Sequence, residues 1–377
     1  MGLLKTSHGV VETPALVTVA TQAVVKTLTA EEALATGSQI AICNSFHLYL
    51  KPGEKIIKKA GGLHEFMGWH QPLMTDSGGF QIFSFGFGKD YKIGKMIITP
   101  KLSSLSFSHD RGKMIVDTVK AGHQPKGVEI TEAGVYFRSP FDGREVFIGP
   151  KESIKIQEVL GADIIFAFDE CTPPIADYKY TRNSMDRTHA WAKQCLKLKS
   201  LKNQALFGIV QGGKFRDLRI ESAKFISALP FAGFGIGGEL GFDKKAMFKM
   251  LGWVNAELPE NKPRHLLGNG HLDDLVKIFQ SGIDSLDCII PTRYARHGVV
   301  FTSQGKLDLT KTHFLKDLRP IDNKCSCPTC AHYTRGYLCH LLKAKEITPL
   351  RLLTIHNLTH FNQVVASIRE GIKRGKL

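Results

Sequence analysis

Eight short apolar runs, most of them separated by helical patterns, constrain this chain more than any other feature. They fall at 15–19, 40–43, 72–75, 163–168, 205–210, 232–236, 265–267 and 285–289. Continuously apolar strands are buried on both faces, as in a parallel sheet covered by helices. The spacing predicts helices over 151–160, 184–198, 215–229, 244–258 and 272–280, with Gly161, Gly252 and Gly282 at helix ends. Eight such units predict an α/β fold, the closed (β/α)8 TIM barrel.

Two segments interrupt the alternation. Val135-Tyr136-Phe137-Arg138 and Glu145-Val146-Phe147-Ile148 read as a β-hairpin turned through Phe141-Asp142-Gly143-Arg144. Residues 86–128 are irregular and rich in glycine, serine and lysine. They read as a solvated insertion on the third βα loop, or as an RNA contact. The expected organisation is a barrel over 1–310, with an insertion at about 86–150, followed by a metal-binding subdomain and C-terminal helix over 311–377.

In such a barrel, chemistry comes from the C-terminal ends of different strands. Polar groups recur there: Asn44, Asp76-Ser77-Gly78-Gly79, Asp169-Glu170-Cys171, Gln211-Gly212-Gly213, Gly237-Gly238 and Gly268-Asn269-Gly270. Asp287 lies within the eighth run; Pro291 stops that strand, and a loop carrying Arg293, Arg296 and His297 follows. Any one of these residues could serve as a cap or turn former. Three carboxylates with a glutamine and several glycines suit another task. Glycines let backbone N–H groups approach a flat ligand. Asp and Gln can accept from the donor edge of a purine such as guanine. Two aspartates with separate roles, nucleophile and acid/base, are the usual machinery for breaking a glycosidic bond. Gly233-Phe234-Gly235-Ile236-Gly237-Gly238 formally fits a dinucleotide-binding pattern. It opens at the sixth strand without a ribose-binding acid downstream, so that use is set aside.

A net charge of +15 attracts polyanions, nucleic acid first. No apolar run approaches the roughly 20 residues of a membrane span, and Met1 to His8 lack a signal-peptide core, so a cytoplasmic location is expected. Cys325, Cys327 and Cys330 cluster, whereas Cys43, Cys171, Cys195, Cys288 and Cys339 are scattered. Three thiolates at that spacing with one imidazole predict a closed tetrahedral, structural Zn2+ site. Spacing leaves the fourth ligand open among His332, His340, His356 and His360, with Cys339 a rival.

Together these motifs resemble the queuine-type tRNA-guanine transglycosylases. The likeness runs over nearly the whole chain. It includes His8-Gly9-Val10-Val11-Glu12-Thr13-Pro14, Asn44-Ser45-Phe46-His47-Leu48, Asp76-Ser77-Gly78-Gly79-Phe80-Gln81, Phe168-Asp169-Glu170-Cys171-Thr172 and Gly208-Ile209-Val210-Gln211-Gly212-Gly213. It continues through Gly237-Gly238, Asp287-Cys288-Ile289-Ile290-Pro291-Thr292-Arg293 and the cysteine cluster.

The resemblance implies exchange of guanine at the first anticodon position of tRNA for a 7-deazaguanine. It implies Asp287 as nucleophile, and Asp76 in proton transfer and base contact. Asp169, Gln211 and the Gly238 backbone would recognise the purine, with Phe80 stacked on it. Arg293 and Arg296 would meet the anticodon. One structural zinc per subunit would rest on Cys325, Cys327, Cys330 and His356. A homodimer formed through the zinc subdomain is also implied. Glycine at 241 leaves room for queuine's cyclopentenediol, whereas Cys171 is the choice of bacterial, preQ1-using relatives; queuine is the preferred reading. The 86–128 segment departs from the family by its length. Competing readings are a non-catalytic tRNA-binding partner subunit, which would need neither Asp76 nor Asp287, and a hydrolase that would release guanine without incorporating another base.

Overall fold

The apolar runs pair edge to edge into a closed parallel barrel. The computed structural model describes residues 1–83, 128–173, 176–238 and 244–377. An antiparallel hairpin, β1 (Gly2–Thr6) and β2 (Gly9–Thr13), precedes the barrel strands β3 (Ala15–Val19), β4 (Ala41–Cys43) and β5 (Leu73–Thr75). A separate sheet follows: β6 (Val128–Ile130), β7 (Val135–Arg138) and β8 (Glu145–Ile148). The barrel resumes with β9 (Ile164–Phe166), β10 (Ala205–Val210), β11 (Gly233–Ile236), β12 (Arg264–Leu266) and β13 (Ser285–Cys288). β13 pairs with β3 and closes the ring. A second hairpin, β14 (Val299–Thr302) and β15 (Gly305–Asp308), leads into the C-terminal region.

The expected hairpin over 135–148 is present, and Val128–Ile130 adds a third strand that was too short to be seen in the sequence. Apart from Val128, the insertion expected at 86–128 lies outside the described residues, as does Gly241. Two expectations are corrected. Gly252 does not end a helix but sits inside Lys244–Asn255, where a side chain would meet nothing within 4 Å. The segment after Asp287 is not a loop but a short helix, Ile290–Ala295. Pro291 occupies its first turn, where an absent backbone N–H breaks no intrahelical bond.

Two apolar clusters build the barrel. The lumen is filled by Val17, Ile42, Met74, Ile164, Phe166, Phe207 and Ile209, and Val11 of β2 packs into the same cluster. The hairpin therefore closes the N-terminal end. A clasp secures it: Asp163, just before β9, accepts from the His8 backbone amide at 3.3 Å and from the Leu73 amide at 2.9 Å. His8 Nδ1 lies 2.8 Å from one Asp163 oxygen and His64 Nε2 lies 3.3 Å from the other, with the two imidazoles stacked 3.6 Å apart. The outer cluster joins the strands to their helices. In it, Leu358, Phe361, Val365 and Ile368 bring the second half of helix Thr348–Lys373 against the barrel.

Asn357 of that helix is wholly buried. Its Oδ1 accepts from Phe301 N, and its Nδ2 donates to the carbonyls of Pro291 and Val299. The helix is thus tied to the chain that follows Asp287. Among the described residues, no helix is long and apolar enough to cross a membrane.

Candidate active site

The ring order β4-β5-β9-β10-β11-β12-β13 places Asn44, Asp76, Asp169, Gln211, Gly238, Gly268 and Asp287 on successive strand ends at one mouth of the barrel. Asp287 is the third residue of β13, and its side chain is 15% exposed. One oxygen is held: Oδ1 accepts from the Gly268 amide at 2.7 Å and lies 3.3 Å from His265 Nε2. His265 is fully buried, and its Nδ1 is 2.9 Å from Ser285 Oγ, which fixes the ring. Oδ2 has no hydrogen-bond partner among the described residues. A carboxylate pinned through one oxygen presents the other as a nucleophile in a defined direction.

Asp76 stands differently. Oδ1 accepts from Ser45 N at 3.0 Å, Ser45 Oγ at 3.2 Å and Gly78 N at 3.2 Å, and Oδ2 accepts from Asn44 Nδ2. Asn44 also caps helix Ser45–Leu50, taking the His47 amide on its own oxygen at 2.9 Å. Burial pushes the Asp76 carboxyl up, these bonds pull it back, and the charge of Asp287 raises it further; the outcome is about 7. A carboxyl poised near neutrality can give and take a proton.

Asp169 lies next round the ring, 5% exposed, with Ser77 Oγ 2.8 Å from Oδ1 and Gln211 Nε2 2.7 Å from Oδ2. Burial raises it to about 6; the bonds from Gln211 and Ser77 oppose this, and the neighbouring charge of Glu170 adds to it. Gly79 is required here, because a Cβ would fall 2.5 Å from the Asp169 carbonyl oxygen. Gln211 Oε1 is buried without a hydrogen-bond partner. Phe80 stands 39% exposed just beyond Gly79.

The structure brings these sequence-predicted residues to one mouth, and it adds others. Glu170, adjacent to Asp169, is fully buried and bound by Arg187 Nε at 2.7 Å and Tyr180 Oη at 2.8 Å; it anchors the loop to helix Tyr178–Leu198. His265 lies in the otherwise apolar run 265–267, where the sequence alone gives it no role. Its one signal was a histidine within a continuously apolar run, pointing into the lumen opposite Ser285. Arg219 was hidden in an amphipathic helix.

Beyond Asp287, Arg293 and Arg296 are both half-buried, with no ion-pair partner among the described residues. Burial, and then the charge of Arg293, lower the Arg296 pKa.

A second centre lies where β14 meets the C-terminal helices. Donor atoms of Cys325, Cys327, Cys330 and His356 all lie within 4.8 Å of one another. His356 Nδ1 is 3.3 Å from Cys330 Sγ and 3.6 Å from Cys327 Sγ. Its Nε2 donates to the Phe301 carbonyl at 2.7 Å, which leaves Nδ1 free to ligate. Hydrogen bonds from Cys325 and Cys330 hold the Cys327 thiol well below its ordinary range. The cluster fits a structural metal site. This resolves the choice left open by spacing: His332, His340, His360 and Cys339 stand outside the set, and Cys339 Sγ instead faces the Lys311 carbonyl at 3.4 Å.

The chain matches the profile of the family described as Queuine tRNA-ribosyltransferase over residues 1–110 and 104–377. It is 44% identical to the queuine tRNA-ribosyltransferase of Halothermothrix orenii over 378 residues, covering 100% of this chain and 91% of that one. It is 45% identical to that of Thermoanaerobacter sp. over 379 residues, with the same coverage, and 42% identical to that of Staphylococcus aureus, covering 100% of this chain and 90% of the relative.

Proposed function

The chain belongs to the queuine tRNA-ribosyltransferase family, and on that premise we propose that it exchanges guanine at the first anticodon position of tRNA for a 7-deazaguanine. The observation that carries this reading is the unlike environment of two neighbouring carboxyls. Asp287 is held by one oxygen and open at the other, and Asp76 is poised near neutrality.

In the first half-reaction Asp287 Oδ2 attacks ribose C1′ as the C1′–N9 bond breaks. The bonding pair leaves with guanine, which takes a proton from Asp76. In the second, Asp76 removes the proton of the incoming base. The base nitrogen then bonds C1′, and the ester to Asp287 breaks. Two inversions retain configuration, as in retaining glycosidases. Asp169, Gln211 and the Gly238 backbone recognise the purine edge, and Phe80 stacks on its face. Arg293 and Arg296, unpaired cations beside the nucleophile, contact the anticodon phosphates.

The metal is Zn2+, one per subunit, held by Cys325, Cys327, Cys330 and His356; when bound it supplies a rigid four-way crosslink. The division between barrel and zinc-binding subdomain falls near 310. Subunits pair through that subdomain, where Leu318 is 79% and Ile347 80% exposed; a sedimentation measurement giving only monomer at micromolar concentration contradicts this. Queuine is the preferred incoming base over preQ1, and relative uptake of the two decides between them.

The test is incorporation of labelled guanine into unmodified tRNA bearing guanine at the first anticodon position. Wild type incorporates label and Asp287→Ala does not. A folded, metal-loaded wild type that binds tRNA without incorporating label sinks the reading.

A further inference from the structure

Behind the glycine turns that follow β10 and β11 lies a guanidinium that none of the steps above uses. Arg219, on helix Arg216–Ser227, is completely buried. Its Nε donates to the Gly213 carbonyl at 2.7 Å, and its Nη1 donates to the Gly237 carbonyl at 2.7 Å and the Val210 carbonyl at 3.2 Å. One planar group therefore ties together the end of β10, the turn after it and the turn after β11. Among the described residues no carboxylate pairs with it. Burial lowers its pKa only to about 10, with the Cys171 thiol opposing, so it stays charged at neutral pH.

Two further facts direct this charge at the purine site. Gly237 C=O and Gly238 N–H belong to the same peptide unit. A cation bound to the carbonyl draws electron density along the amide, which strengthens the N–H as a donor and fixes its direction. In addition, Arg219 Nη2 and Gln211 Oε1 are both buried without a hydrogen-bond partner, and both converge on Gly238: a Cβ built there would fall 2.8 Å from each. Gly238 has φ +87°, a backbone conformation that favours glycine. The peptide is thus clamped from behind and bare in front.

We propose that Arg219 is a positioning residue of the exchange reaction, orienting and polarising the Gly237–Gly238 peptide so that its N–H meets the carbonyl oxygen of the purine. That oxygen gains negative charge as the C1′–N9 bond breaks, so a preorganised donor there aids departure as well as binding. Lysine cannot replace this: a point ammonium does not span three carbonyls in one plane. The inference rests on the base-exchange reading for its substrate. Its test reads base discrimination apart from turnover.

The experiment compares full-length wild type, Arg219→Lys and Arg219→Gln, each checked for metal content and a cooperative melt. Binding of guanine and of 2-aminopurine, which lacks the carbonyl, is measured by titration calorimetry without tRNA; exchange kinetics are then measured separately for base and tRNA. Wild type prefers guanine by about tenfold or more, and the preference narrows in both variants, Arg219→Lys keeping the larger part. In exchange, KM for guanine rises about tenfold and kcat falls, while KM for tRNA stays within about twofold. If Arg219→Gln does not fold, Arg219→Lys carries the comparison. Equal discrimination in wild type and Arg219→Lys overturns the proposal, as does a loss shared evenly by base and tRNA. Wild type that discriminates the bases but incorporates no label leaves Arg219 in its role and removes the exchange reading instead.

Discussion

His265 Nε2 and the Gly268 amide meet on the same oxygen of Asp287, leaving the other oxygen of that carboxylate without a hydrogen-bond partner among the described residues. The imidazole is itself held by Ser285, so a short relay runs from strand to strand beneath Asp287. Replacing His265 with Ala removes the side support and leaves the Gly268 amide. The expected result is a fall in kcat of about ten- to a hundredfold with little change in KM for tRNA. Single-turnover exchange rates check this; an unchanged rate in a folded variant means that the amide suffices.

Asp76 should impose a pH dependence centred near 7. It must be protonated to supply guanine with a proton, so release of guanine from tRNA slows as pH rises through about 7. Capture of the incoming base needs the carboxylate and slows as pH falls through the same value. Asp76→Asn should abolish both limbs along with most activity. Its effect on stability has the opposite sign. The folded pKa lies above the unfolded one, so the native state holds an extra proton between about 4 and 7 and loses stability as pH rises across that window. At pH 8, Asp76→Asn should therefore melt higher than wild type. Melting curves at pH 5 and 8 decide, and a variant less stable at both pH values contradicts the argument.

The clasp at the closed end of the barrel predicts a loss at low pH. Burial alone would raise Asp163, but the His64 and His8 imidazoles beside it and the bond from the Leu73 amide hold it at about 2. A depressed carboxylate contributes stability above its unfolded pKa, near 4, and loses that contribution as pH falls through about 2. Asp163→Asn should cost roughly 2 kcal/mol at pH 7 and progressively less below pH 4. Urea unfolding across that range is the measurement. A cost that stays constant with pH would point to lost shape rather than lost charge.

Removing the metal should loosen the C-terminal region first. Cys327 and Cys330 pack with Leu338, Leu353 and Phe314 in one cluster, so an emptied site leaves thiols crowded inside an apolar core. Cys325→Ser is expected to drop bound metal from one per chain to near zero and to destabilise by several kcal/mol. Metal analysis and calorimetry on the same sample test it. Full metal content in Cys325→Ser would remove this residue from the ligand set.

Affinity for tRNA should fall with salt, and Arg293→Ala and Arg296→Ala should each reduce the slope of log affinity against log salt by about 1. A wild-type affinity flat between low and moderate salt contradicts phosphate contact.

The sequence made the ring of strands legible because most of the runs are apolar through most of their length, and it marked the mouth because seven of the eight carry a polar or glycine residue at or just past the end. β10 was located to the residue, and the 135–148 hairpin strand for strand. The helix after Pro291 was missed because a proline reads as a stop, yet it also opens helices. The start of helix Tyr178–Leu198 was hidden by its polar first turns, which Asp177 caps from outside. The metal-binding histidine was not readable from spacing, since His356 and His360 lie one turn apart on one helix; the choice depends on which ring faces Phe301. His265 and Arg219 went unseen for a common reason. Each acts through a neighbour in space but not in sequence, and a lone polar residue in an apolar or amphipathic pattern carries no hint of the carbonyl or carboxylate it will meet.

The hairpin wedged under the lumen has a further consequence. Among the described residues, the packed lumen and the hairpin beneath it leave the mouth as the open end of the barrel. On the double-displacement reading proposed above, the discarded base and its replacement use that same opening, at different times, with the ribose held on Asp287 between them. On that reading the seat empties before it is filled. The strand pair backs a lumen already filled by side chains, so traffic at this site runs through its front.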